Sequence, residues 1–219
     1  MPTDSVRLRG LYAITPSEHS LVQLILQAEA ALAGGVRLMQ YRNKLANAPL
    51  LKQVQATELL RRCHNYGAKL IINDSVILAV EMGADGVHIG RDDPYYTELP
   101  QARALLGPNR ILGVSCYNDL NRAKTAVEAG ADYVAFGSVF ASPTKPDACR
   151  VSLATLRQAR QCFNVPIVAI GGITLENAPE VIHTGVDVLA VSTGLFSAME
   201  DVPIRAEKFQ QLFEGGCHP

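Results

Sequence analysis

The stretch Gly130-Ala131-Asp132-Tyr133-Val134-Ala135-Phe136-Gly137 shows how this chain builds its fold. A glycine ends an alanine-bearing helical run in a left-handed cap, and a short apolar strand follows after one small residue and one charge. The arrangement recurs at Gly35-Val36-Arg37, Gly83-Ala84-Asp85 and Gly185-Val186-Asp187. The first three copies are spaced by roughly fifty residues, room for two β-α units each. Strands of the same kind fill the intervals, so the sequence predicts eight: Leu11–Thr15, Leu38–Arg42, Leu70–Asn73, Gly86–Gly90, Ile111–Cys116, Tyr133–Ser138, Ile167–Gly171 and Val188–Ser192. Each is short, continuous and rich in Ile, Val and Leu, as strands covered on both faces are. Helical patterns such as Ser20–Ala33, Leu50–Tyr66 and Asn118–Ala129 separate them.

Eight alternations in 219 residues predict an α/β fold, a single (β/α)8 TIM barrel spanning the chain, with a core from about 11 to 213 and a frayed tail at 214–219. An open doubly wound sheet is the competing arrangement. It is disfavoured because no G-x-G-x-x-G follows the first strand.

Composition narrows the function classes. With 48% hydrophobic and 19% charged residues the chain can bury a large core and is too apolar for disorder. The net charge of −1 and the lack of a basic run argue against nucleic acid and against an anionic membrane surface. No apolar stretch has the length of a membrane span, and Met1–Gly10 lacks the apolar region of a signal peptide. Cys63, Cys116, Cys149, Cys162 and Cys217 are scattered, with no C-x-x-C and no zinc-ligand spacing, so free thiols in a cytoplasmic protein are expected. The oligomeric state is left open, a homo-oligomer included.

In such barrels the chemistry sits at the carboxyl ends of the strands. The second strand ends Gln40-Tyr41-Arg42-Asn43-Lys44, where alternation points Gln40, Arg42 and Lys44 one way. One amide and two cations at a barrel mouth make an anion site, with a solvated strand end as the plain alternative. The third and fourth strands lead to Asn73-Asp74 and to Arg91-Asp92-Asp93. Asp74 and Asp93 on neighbouring strands suit Mg2+, which one or two carboxylates hold beside phosphate oxygens. Singly, Asp74 could cap the helix Val76–Met82 and Asp93 could be a turn residue before Pro94.

His88, between glycines, reads as a barrel-interior histidine. Ser115 could orient a ligand or cap the next helix, and no neighbouring His and Asp make it a nucleophile. After the sixth strand, Ser142-Pro143-Thr144-Lys145 groups two hydroxyls and a cation around a rigid proline. Gly171-Gly172 after the seventh strand and Val191-Ser192 at the end of the eighth expose backbone N–H groups where barrels commonly hold a phosphate.

Taken in order, these motifs resemble the thiamine-phosphate synthase family, from about Leu11 to Phe196. They are Gln-x-Arg-x-Lys at 40–44, Asn-Asp at 73–74, Asp-Gly-Val-His-x-Gly-x-x-Asp at 85–93, Gly-Val-Ser at 113–115, Ser142 to Lys145, Ala-Ile-Gly-Gly-Ile at 169–173 and Val-Ser at 191–192. The resemblance implies that an aminomethylpyrimidine diphosphate loses diphosphate and the nitrogen of a thiazole phosphate takes its place. It implies that Gln40, Tyr41, Arg42, Asn43, Lys44, Asn73, Ser115 and Lys145 bind the pyrimidine diphosphate, with Arg42, Lys44, Ser115 and Lys145 serving catalysis. Asp74 and Asp93 would hold Mg2+, and Ser142, Pro143, Thr144, Gly172, Val191 and Ser192 would take the thiazole phosphate. Two positions depart from the family pattern: Ser142 stands where a threonine is usual, and Arg91 where glutamine is frequent.

Three rival readings differ in what they require. A thiazole tautomerase of the same superfamily would carry a histidine just after the fifth strand, where this chain has Ser115-Cys116-Tyr117. A phosphate-ligand sensor without catalysis would not need the Asp74 and Asp93 pair. A phosphosugar isomerase would want a rim base, which Asp74 could supply, but would leave Lys145 unexplained.

Overall fold

The buried apolar runs become β1 (Gly10–Ile14), β2 (Leu38–Tyr41), β3 (Lys69–Asn73), β4 (Gly86–Ile89), β5 (Ile111–Tyr117), β6 (Tyr133–Gly137), β7 (Ile167–Ile170) and β8 (Val188–Val191). In this computed structural model, which describes residues 8–17, 20–44, 48–141 and 150–214, the strands pair in parallel and in chain order, and β8 returns to β1 to close the barrel. Helices α1 (Leu21–Ala33), α2 (Pro49–Asn65), α3 (Val76–Glu81), α4 (Leu99–Leu106), α5 (Leu120–Glu128), α6 (Leu153–Cys162), α7 (Ala178–Ile182), α8 (Thr193–Phe196) and α9 (Val202–Glu214) lie between and after them. The predicted barrel is therefore correct, with strand bounds shifted by at most one residue. Residues 215–219 of the predicted tail lie outside the described residues.

Strand alternation divides the core into two shells. Tyr12, Ile14, Leu38, Ile71, Ile111, Tyr133, Val168 and Val188 fill the barrel interior. Their neighbours Leu11, Ala13, Met39, Ile72, Leu112, Val134, Phe136 and Leu189 face outward and pack under the helices.

The recurring Gly-x-Asp acquires a physical role at the amino-terminal end of the barrel. Asp132 Oδ2 accepts from Leu112 N–H at 2.7 Å and from the Arg103 guanidinium at 2.5 Å. Asp187 Oδ2 accepts from Ile167 N–H at 2.8 Å and from Arg160 at 2.7 Å. Asp85 Oδ2 accepts from Leu70 N–H at 2.8 Å and lies 3.0 Å from His64 Nε2. Each carboxylate ties the start of one strand to the helix before it and begins the next strand. In the remaining copy Arg37 takes the aspartate's place and donates to Val36 C=O at 2.9 Å.

Two capping alternatives are corrected by the structure. The cap of α3 is Ser75, whose hydroxyl accepts from Leu78 N–H at 3.2 Å, while Asp74 has a left-handed backbone (φ 53°). The cap of α5 is Asp119, accepting from Asn121 and Arg122 N–H groups at 2.8 and 3.1 Å, and Ser115 is free of that task. Asp93 does serve as a turn residue: Oδ1 accepts from Tyr95 N–H at 2.7 Å and starts the 3-10 turn Pro94–Thr97.

Candidate active site

The carboxyl end of β2 does not present its five residues on one surface. Gln40 is buried and donates from Nε2 to the Tyr12 hydroxyl at 2.8 Å, inside the barrel. Thr15 Oγ1 accepts from Arg42 N–H at 2.9 Å, and the Arg42 guanidinium donates to Ser17 Oγ at 2.5 Å, which holds it over the β1–α1 connection. The odd-numbered neighbours turn toward α2: the Tyr41 hydroxyl donates to Gln55 Oε1 at 2.7 Å and Asn43 Nδ2 to the same oxygen at 2.9 Å. A cleft of about 310 Å³ separates α2 from the ends of β2 and β3, lined by Asn43, Lys44, Asn73, Asp74 and Asp92 among others. A larger hollow of about 460 Å³, beside Arg9 and Gly34, lies at the opposite end of the barrel, away from the strand ends that carry the chemistry in this fold.

Lys44 bridges two carboxylates. Its ammonium is 2.5 Å from Asp74 Oδ2 and 2.6 Å from Asp92 Oδ2. Asp92, missed in the sequence, is exposed, and its loop after β4 reaches the end of β2 across the intervening β3. Asp74 also accepts from Asn73 Nδ2 at 2.7 Å and, through Oδ1, from Gly90 N–H at 2.8 Å. Asp93 is 3% exposed, and its Oδ2 has no hydrogen bond among the described residues. Burial pushes the Asp93 carboxyl above the usual carboxylate range, and the charge of Asp74 pushes the same way, against the Tyr95 and Val76 N–H groups. A buried carboxylate oxygen with no donor and a second carboxylate nearby is a donor set that fits a divalent cation. Among the described residues no three His, Cys, Asp or Glu side chains form a cage. The fit is therefore to an ion completed by a ligand's oxygens.

His88 is buried inside the barrel, as its glycine-flanked place in the strand implied. Its Nδ1 is 2.9 Å from the Tyr133 hydroxyl and its Nε2 is 2.8 Å from Ser115 Oγ. Burial drops its pKa to about 4, so the ring is neutral near pH 7. Tyr12 and Tyr133, also missed, join their hydroxyls at 3.0 Å. Alternation could have pointed both rings inward, but their meeting depends on strands far apart in sequence. Arg91 stacks over the Tyr117 ring, 4.6 Å from its centroid, on the rim between β4 and β5.

On the far side of the mouth, Gly171 and Gly172 have φ of 106° and 64°. A Cβ on Gly172 would lie 2.6 Å from Ala141 O, so the turn after β7 needs glycine to let the segment after β6 pass. Val191 is buried in the outer shell, which leaves only its main chain for a ligand. Ser192 precedes α8 without a side-chain capping bond. Ser142, Pro143, Thr144 and Lys145 lie outside the described residues.

Residues 11–195 match the family model described as thiamine monophosphate synthase. The chain is 49% identical over 206 residues to the thiamine-phosphate synthase of Methylobacillus flagellatus, covering 94% of this chain and 96% of that one. It is 47% identical over 212 residues to that of Nitrosomonas eutropha, covering 97% and 98%. Among solved structures it superposes on a thiamine phosphate pyrophosphorylase from Pyrococcus furiosus with a TM-score of 0.81 and 34% identity, covering 94% and 95%.

Proposed function

The chain belongs to the thiamine monophosphate synthase family of transferases, and from that premise we propose that it joins an aminomethylpyrimidine diphosphate to a thiazole phosphate, releasing diphosphate and forming thiamine phosphate. The observation that carries the reading at the residue level is the buried Asp93 Oδ2, without a hydrogen bond among the described residues, on the same rim as the Lys44–Asp74 pair. It supports a site for a metal-bound diphosphate rather than for phosphate alone.

In the substitution, the bond between the pyrimidine's methylene and the diphosphate oxygen breaks first. The electron-rich aminopyrimidine carries the positive charge left behind, and the thiazole nitrogen then supplies the pair for the new carbon–nitrogen bond. No protein nucleophile is required. Negative charge grows on the departing diphosphate, and Arg42, Lys44 and Lys145 are the cations that would meet it. Lys44 would leave Asp74 and Asp92 to do so. Asp74 and Asp93 would hold Mg2+, which supplies charge neutralisation on the diphosphate when bound. Gln40, Asn73 and Ser115 would orient the pyrimidine diphosphate. Tyr41 and Asn43 would act through Gln55 and α2 by keeping the β2 end in place.

Ser142, Pro143, Thr144, Gly172, Ser192 and the main chain of Val191 would hold the thiazole phosphate opposite, so that both partners meet in one orientation. A reducing cytoplasm is the compartment that suits the unpaired, buried Cys63 and Cys116. The test is to mix the chain with both precursors and Mg2+. Thiamine phosphate and diphosphate should appear in equal amounts, and absence of both products would overturn the assignment.

A further inference from the structure

Departure of a diphosphate does not call for the string of hydrogen bonds that crosses the barrel interior. Gln40 on β2, Tyr12 on β1, Tyr133 on β6, His88 on β4 and Ser115 on β5 are joined in that order at 2.8, 3.0, 2.9 and 2.8 Å. The string runs from the buried Gln40 to the half-buried Ser115 through Tyr12, Tyr133 and His88, which are 1%, 0% and 7% exposed. Space for it is cut into the strands. A Cβ on Gly113 would lie 1.9 Å from Tyr133 Cζ and 2.3 Å from its hydroxyl oxygen.

The protons in this string have one consistent direction. Tyr12 and Tyr133 are 1% and 0% exposed, and among the described residues each hydroxyl has only its two partners in the string. Each has one proton, and a proton with no acceptor in an apolar interior is costly. Gln40 Nε2 can only donate. Tyr12 therefore accepts from it and donates to Tyr133, and Tyr133 donates to His88 Nδ1. A neutral imidazole that accepts at Nδ1 carries its proton on Nε2, and that proton goes to Ser115 Oγ. The Ser115 proton is then not used within the barrel.

We propose that this directed string holds Ser115 as a hydrogen-bond donor toward the bound substrate, so that Tyr12, Tyr133 and His88 are positioning residues which restrict that place to a ligand offering a lone pair, such as an aromatic ring nitrogen. The identity of that ligand rests on the reaction assigned above, whereas the direction of the string is a property of the free chain. Turning the Gln40 amide over reverses every bond: Ser115 would donate to His88 Nε2, the ring proton would sit on Nδ1, and the site would ask for a donor instead.

The two directions differ in the His88 tautomer, which nitrogen-15 NMR of the imidazoles reads in the ligand-free chain at pH 7, with His88→Gln to assign the signal. The Nε2-protonated form is expected as the sole species. The Nδ1-protonated form, or a mixture of the two, would overturn the proposal. This measurement needs no substrate, so its failure is separable from failure of the assigned reaction.

Tyr133→Phe, which removes one oxygen and keeps the ring, cuts the string. It should raise KM for the pyrimidine diphosphate by roughly ten-fold and leave KM for the thiazole phosphate within about two-fold, since only one partner meets Ser115. Equal changes in both constants, or none in either, would show that the phenol only packs.

Discussion

Asp93 divides its carboxylate between two tasks: Oδ1 caps the turn Pro94–Thr97, and Oδ2 is buried without a hydrogen bond among the described residues. Asp93→Asn keeps an oxygen for the cap and removes the charge. It should abolish Mg2+-dependent turnover while leaving the urea midpoint nearly unchanged. Asp93→Ala should abolish turnover as well and lose about 1 kcal/mol of stability with the cap. Turnover surviving in both variants would remove the metal assignment. Lys145→Ala should slow single-turnover product formation more than it weakens thiazole phosphate binding, and a wild-type single-turnover rate would dismiss Lys145 as a partner of the leaving diphosphate.

Burial also pushes the thiols of Cys63 and Cys116 up to about 12. The thiols stay neutral in the folded chain while the unfolded chain ionises from about pH 9, so the stability they contribute is intact below that pH and lost above it. The limit by pH 12 is roughly 4 kcal/mol for each thiol. Urea midpoints should therefore hold between pH 7 and 8.5 and fall from pH 9 upward. A flat profile to pH 10.5 would contradict this burial.

Among the elements, the Gly-x-Asp repeat is where reading the sequence and reading the structure meet. Asp132→Ala strips both Leu112 N–H and Arg103 of an acceptor. It should cost about 1–3 kcal/mol in chemical denaturation, with kcat and both KM values as in the wild type, because β6 meets its ligands at the other end. The strands were legible because each is a continuous apolar run between polar turns. Their closure was legible because eight such runs alternate with helices in 219 residues and no G-x-G-x-x-G follows the first of them. What sequence could not supply was the fate of individual polar side chains.

Alternation predicted that Gln40, Arg42 and Lys44 share a face, and in the structure they diverge. β2 ends at Tyr41, so alternation lapses after it, and Gln40 finds a buried phenol while Lys44 finds Asp74 and Asp92. The cap of α3 moved by one residue, from Asp74 to Ser75, because Asp74 adopts the left-handed backbone that aims its carboxylate at Gly90 and Lys44. Such choices depend on strand register, which periodicity does not encode.

At the scale of the whole molecule, closure joins the first strand to the last helix. Gln210 on α9 accepts from Leu11 N–H at 3.1 Å and donates to Gly35 C=O at 3.0 Å, so one amide fastens β1, the end of α1 and α9 together. Gln210→Ala should lower stability by about 1–3 kcal/mol and speed amide hydrogen exchange in β1 and α9 before the other strands. Uniform exchange across the barrel would show that α9 is not a separate latch.

The side-chain contacts of Asp85, Asp132 and Asp187 all lie at the amino-terminal end, and Arg42, Asp74, Asp93 and Ser115 all lie at the other. Inheritance can thus treat the two ends as separate ledgers. Descendants of such a chain can exchange rim loops, and with them the molecules they recognise, while the same three aspartates go on holding the staves of the barrel in register.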